Sequence, residues 1–286
     1  MKDKTKIELA TNEKYILSEG PTYDHRTKAT SWVDIIDKKL FILDKINKLK
    51  TISFKEKISV AIPLSRSFGY LVCGETALYV YENNEIKVLK DLKSIMEPGM
   101  RCNDAKADNL GRLWFSTMVD DGFHAPSGAL YCYTNRELIC MQDNLKLGNG
   151  MAWSKDNTKF FFADSGAHEV YSYDYDLDTG YISNRKVLFE VSDGVPDGMT
   201  IDDNDNLYVC IWGGGRIEVR SSKTGILKRE INMPTKLITS CTFRGDNYNE
   251  LFVTTASIEQ TDKFAGHVFK VSLDAKGYEV NLAKLD

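Results

Sequence analysis

Nowhere does the chain hold the roughly 18 consecutive apolar residues that a membrane-crossing helix needs. No membrane association is expected. The first residues, MKDKTKIELATNEKY, contain no apolar stretch of signal-peptide length, so a cytoplasmic location is expected. The six cysteines form no CxxC pair and most lie inside apolar runs, where a reduced thiol behaves as a small hydrophobe. Neither a disulfide framework nor a cysteine zinc site is expected. Lysines and arginines are scattered and the formal charge is −4, which excludes a basic patch for a nucleic-acid backbone. No segment keeps helical periodicity for three turns, although residues 91–96 could form one short turn. There is no Pro/Gly/Ser-rich linker, and a chain of 286 residues that is 42% hydrophobic can bury one large core. A single all-β domain over residues 1–286 is therefore expected.

What the chain does contain is repetition. Strand-like runs recur as SWVD at Ser31, ALYVY at Ala77, RLWFS at Arg112, KFFFAD at Lys159, NLYVC at Asn206 and ELFVT at Glu250. Each is followed by a second run, such as KLFILD from Lys39 or RIEVRS from Arg216. Val, Ile, Tyr and Phe alternate with polar residues and end at turn signals such as Thr179-Gly180. With Val33, Tyr79, Trp114, Phe161, Tyr208 and Phe252 as markers, the steps are 46, 35, 47, 47 and 44 residues. Propeller blades of four strands recur at ~40–50 residues. The expected fold is a six-bladed β-propeller of four-stranded antiparallel blades around a central channel. Ring closure is expected from the terminal runs, KIELA from Lys6 and YEVNLAKL from Tyr278, sharing the last blade.

Before each strand run stands a polar signature: SEGPTYD from Ser18, RCNDAKAD from Arg101, GNGMAWS from Gly148 and PDGMTID from Pro196. Glu19, Asn103, Asn149 and Asp197 take matching places, separated by 84, 46 and 48 residues. Thr239-Ser240 takes that place in the last blade and Ser67-Phe68 in the second. Asn149-Gly150 and Asp197-Gly198 taken singly are ordinary turn dipeptides, but Glu19 is not a turn residue and shares the position. The first strand of a propeller blade lines the channel, so these side chains would converge on one mouth. Two carboxylates and two amides make an all-oxygen donor set, suited to calcium, magnesium or manganese and tolerated by zinc.

These residues resemble the SMP-30/gluconolactonase/luciferin-regenerating family. The resemblance runs through E-G-P at Glu19, R-x-N-D-x-K-x-D-x-x-G-R from Arg101 to Arg112, Ser116-Thr117-Met118, N-G-x-x-W-S at Asn149, Ala163-Asp164-Ser165, P-D-G at Pro196 and W-G-G at Trp212. It implies one divalent metal ion held by Glu19, Asn149 and Asp197, and hydrolysis of a small sugar lactone to its aldonic acid. It also implies substrate binding by Arg101, Asn103 and an acidic residue after the Thr-Met pair, here Asp121 or its neighbour Asp120. The chain departs from the pattern in having aspartate where glutamate is common, and Ser116 where glycine is usual.

Asp197 is the expected general base, and Arg101 the planar, permanently charged donor toward hydroxyls or the product carboxylate. Asp104, Lys106 and Asp108 are expected to serve turns or bonds between blades, and Trp153 and Trp212 to be core or channel-wall aromatics. The histidines fall outside the ligand register, with His124 read as a loop residue. Two other functions share the donor chemistry: a calcium-dependent phosphotriesterase of the diisopropylfluorophosphatase type, and a non-catalytic calcium-binding or ligand-sensing propeller. The R-x-N-D, P-D-G and W-G-G segments favour the lactonase, and a pure metal site has no need of the Arg101 guanidinium.

Overall fold

Twenty-four strands form six four-stranded antiparallel sheets in the computed structural model, which describes residues 5–120 and 128–285. The sheets are the blades of a six-bladed β-propeller. Their innermost strands are Ser18–Asp24, Ile58–Pro63, Met100–Ala107, Gly148–Trp153, Val195–Ile201 and Ile238–Arg244. Each packs against the inner strand on either side, the last against the first, so the ring closes around a channel. The one helix among the described residues is a single 3-10 turn, Ser165–Ala167. At residues 91–96 the chain makes only a turn, with the Ile95 and Met96 N–H groups bonded to the Leu92 carbonyl at 2.9 and 3.0 Å.

The hydrophobic layers lie between neighbouring blades. Trp114 and Leu130 of the third blade pack with Trp153, Phe160 and Tyr173 of the fourth, and Trp32 and Phe41 of the first with Phe252 of the last. Trp32 and Phe41 stack at 5.7 Å between ring centroids, and Trp114 meets Trp153 edge-on at 5.9 Å, both ordinary aromatic packing geometries. Five of the six cysteines are buried and all six are free thiols; Cys140 is the exposed one.

Three expectations need correction. In the second blade ALYVY is not the second strand but the third, Ala77–Glu82; the second is Tyr70–Gly74. YLVCG is buried at every position and so lacks the alternation by which strands are recognised. A marker on it, Val72, replaces the uneven steps of 46 and 35 with 39 and 42. Ser67-Phe68 accordingly lies in the turn after the inner strand, not at the channel mouth.

The termini also part company. Lys6–Leu9 does complete the last blade, pairing antiparallel with Phe269–Ser272. Residues 278–285 instead cross the face where the inner strands end. Tyr278 donates to the Trp153 carbonyl, Asn281 to that of Ala107, and Ala283 N–H to that of Pro63. The tail thus ties blades four, three and two across one end of the channel.

Candidate metal and active site at the channel mouth

Every inner strand breaks register with its neighbour at the same height. The shifts fall between Glu19 and Thr22, Ile58 and Val60, Cys102 and Ala105, Gly148 and Met151, Pro196 and Met199, and Ile238 and Cys241. A bulge leaves residues unpaired and re-aims their side chains. Asn103, Asn149 and Asp197 lie inside these bulges and Glu19 at the edge of one. Ser59 takes the place in the second blade, and Thr239-Ser240 in the last.

Asn149-Gly150 and Asp197-Gly198 are not turns, because the glycines serve close approach between blades. A Cβ on Gly150 would lie 2.4 Å from the Asp197 carbonyl oxygen, and one on Gly198 2.1 Å from Ser240 Oγ. Aspartates at the ends of second strands fix the approach to the bulges. Asp34 accepts from Ile16 N–H at 2.7 Å, and Asp164 from Leu147 N–H at 2.9 Å, just ahead of Glu19 and Asn149. Ser165 joins the fourth and fifth blades at the mouth, accepting from Asn149 Nδ2 at 3.0 Å and donating to the Pro196 carbonyl at 2.5 Å.

Asn149, Asp197 and Asp104 are buried, and each has an oxygen, respectively Oδ1, Oδ1 and Oδ2, with no hydrogen-bond partner among the described residues. Leaving a buried acceptor unmade costs about 1–3 kcal/mol, so three of them demand an explanation. Burial raises the Glu19 pKa well above its ordinary value, with the Asp197 and Asp104 charges adding to the effect and the Gly20 N–H and Arg101 opposing it. Burial likewise raises Asp197 well above the usual carboxylate range; Asp104 pushes the same way, against hydrogen bonds from Asn149 and Gly198. Crowded carboxylates with unpartnered oxygens are the donor chemistry of a hard cation.

Among the described residues no group of three or more His, Cys, Asp or Glu side chains is arranged to hold a metal ion. Glu19 and Asp197 supply two carboxylates, and an amide oxygen from Asn149 would complete the donor set. Asn103 is differently engaged. Its Oδ1 accepts from Arg101 Nη1 at 2.9 Å and its Nδ2 donates to the Gly148 carbonyl at 3.0 Å.

Arg101 is buried along most of its length and bonds Asp120 Oδ1 through Nε at 2.6 Å. Lys57, from the start of the second blade, binds the other oxygen of Asp120. Burial alone would raise the Asp120 pKa, but Lys57 and Arg101 outweigh it and hold the carboxyl below its usual range. Asp120 is therefore the acidic residue that engages Arg101, whereas Asp121 and His124 lie outside the described residues.

Ser116 is wholly buried and donates to the Gly148 carbonyl at 2.7 Å, tying the third blade to the fourth. Asp108 serves structure as expected, and Lys106 reaches the Met199 carbonyl on the fifth blade. Asp104 does not make bonds between blades: its Oδ1 takes the N–H of Ala105 at 2.8 Å and its Oδ2 none. Lys57 was not visible as a site residue, since a lone lysine before a strand carries no motif.

A model of the SMP-30/Gluconolactonase/LRE-like region matches residues 17–257. The chain belongs to this family. Family members similar to it include "Putative sugar lactone lactonase YvrE" of Bacillus subtilis strain 168, 30% identical over 285 residues, covering 95% of this chain and 96% of that protein. Regucalcin of Danio rerio is 30% identical over 285 residues with the same coverage. The solved structure of a luciferin-regenerating enzyme is 32% identical, superposes with a TM-score of 0.92, and covers 98% of this chain and 100% of its own. The family supports a lactonase type of function, a hydrolase acting on lactones.

Proposed function

We propose that the protein is a metal-dependent lactonase that opens a small sugar lactone to its aldonic acid. The observation that carries this reading is the pair of buried, unpartnered oxygens, Asn149 Oδ1 and Asp197 Oδ1, aligned by the bulges beside an arginine held in place by Asp120. Glu19, Asn149 and Asp197 would hold one divalent ion, calcium or alternatively zinc, manganese or magnesium. Such an ion, when bound, polarises a carbonyl and stabilises the oxyanion that develops when water attacks.

The chain's own groups supply the rest. Asp197 takes the proton of the attacking water, the role of a carboxylate held beside the attacked carbonyl. Arg101 presents its guanidinium to the substrate's hydroxyls or to the new carboxylate, and Asn103 sets the angle of that fork through the 2.9 Å bond to Nη1. Asp120 orients Arg101 from behind, and Asp121 stands next to it in sequence as a further substrate contact. The free buried thiols accord with a reducing, cytoplasmic setting.

Chelated protein, reconstituted with each ion in turn and assayed with a pH indicator on five- and six-membered aldonolactones, tests the proposal. Acid release that needs the added ion supports it. Ion binding with no turnover of any lactone would make the protein a sensor, and turnover of a fluorophosphonate alone a phosphotriesterase.

A further inference from the structure

Below the bulges the inner strands enclose a chamber of about 220 Å³, walled chiefly by Val60, Ile62, Met151 and Ile201. Two charged residues of one strand, Met100–Ala107, line it: Asp104 and Lys106. Asp104 is buried with Oδ2 unpartnered, and Lys106 reaches to the Met199 carbonyl, two residues beyond Asp197. Gly20, which follows Glu19, lines the chamber as well. The aspartate and the lysine thus sit directly under the residues that would hold the ion, where a unit charge is less screened than in water. The other two charged residues of the chamber lining, Lys155 and Glu279, are exposed and of opposite sign.

We propose that Asp104 and Lys106 form a charge-setting pair that fixes which class of cation the mouth accepts. The inference rests on the metal reading above. With the ammonium offsetting the Asp104 carboxylate, the inner side of the site presents two uncompensated carboxylates, Glu19 and Asp197, which match a divalent ion. The rim group of Lys57, Asp120 and Arg101 carries one net positive charge on the side where substrate enters. It opposes, and does not add to, the negative charge below. Removing the ammonium would make the site more negative and favour higher-valent ions; removing the carboxylate would do the reverse.

Calorimetric titration of the chelated full-length protein with Ca²⁺ and with Tb³⁺ tests this through the ratio of the two affinities, with no recourse to turnover. Lys106→Met is expected to shift the ratio toward Tb³⁺ by about tenfold, the scale of one unit charge acting across about 10 Å at an effective dielectric near 20. Asp104→Asn is expected to shift it toward Ca²⁺ by a similar factor, and the double variant to return near the wild-type ratio. Lys106→Arg, which keeps the charge, should leave it unchanged. An unaltered ratio in Lys106→Met would overturn the proposal. If that variant fails to fold, Asp104→Asn alone decides the sign, and a shift toward Tb³⁺ or none overturns it. A wild-type protein that binds neither ion sinks the metal reading itself, an outcome distinct from binding with an unshifted ratio.

Discussion

Where the inner strands begin, Asp197 is buried with an oxygen that no donor among the described residues reaches; where they end, Asp24, Asp108 and Asp202 are equally buried and both oxygens of each are bonded. Asp108 is the fullest case, accepting from Arg112 Nε at 2.6 Å, Trp114 Nε1 at 3.0 Å and Tyr175 Oη at 2.8 Å. The same residue type therefore does two jobs on one channel. A satisfied buried carboxylate holds the blades together, whereas an unsatisfied one lowers the stability of the empty protein and leaves an acceptor free for something else. The tail crossing at residues 278–285 reinforces the contrast, because it covers the satisfied end and leaves the mouth alone.

Exchanging the chemistry of Asp197 gives the largest expected effect. Asp197→Asn should reduce lactone hydrolysis by roughly 10²–10⁴-fold, the usual scale for losing a general base, while the chelated variant melts higher than chelated wild type. A variant that hydrolyses lactones at the wild-type rate when saturated with metal would place the base elsewhere, with Asp121 the next candidate. The opposite pattern is expected at the other end. Asp108→Ala strands the buried Arg112 charge and should cost about 3–5 kcal/mol, read as a lowered melting temperature, with unchanged kcat/KM in the folded fraction. Lost activity at full folding would contradict the division of labour.

Within the mouth, Glu19→Gln and Asn149→Ala should each weaken divalent-ion affinity by on the order of 10–100-fold, the cost of losing one charge-assisted partner. Titration with a fluorescent chelator as competitor checks this. Unchanged affinity in either variant removes that residue from the ligand set. The smallest effect expected is in the pH dependence of stability. Glu19 and Asp197 are raised by burial, with Asp104 adding to the shift in both. The metal-free native state thus keeps protons that the unfolded chain releases from about pH 4 upward. Its stability should be greatest below that value and decline as pH rises through the raised values. A divalent ion, replacing those protons, should restore most stability at the highest pH. A metal-free melting temperature that rises from pH 4 to 8 would contradict the crowding of carboxylates at the mouth.

Much of this was legible from local pattern. Six repeats, the matched places of Glu19, Asn103, Asn149 and Asp197, and the closing role of Lys6–Leu9 all follow from spacing and alternation. The frame slipped where alternation vanished, at the doubly buried Tyr70–Gly74. The Asn-Gly and Asp-Gly pairs carried a turn signal that their structural use contradicts, since close approach and tight turns both call for glycine.

The sequence by itself determined the number of blades and the matched places of the polar residues at the starts of the inner strands, because strand alternation and repeat spacing are local properties of the chain. Only the tertiary structure decided which oxygens stay open. Asn103 is tied to Arg101 and to the Gly148 carbonyl while Asn149 Oδ1 is left unpartnered, and Asp120 is clasped by Lys57 from 63 residues away. Those partners depend on how six bulged strands from separate blades meet around one axis. That meeting is set by packing between sheets, which no residue's local propensity encodes.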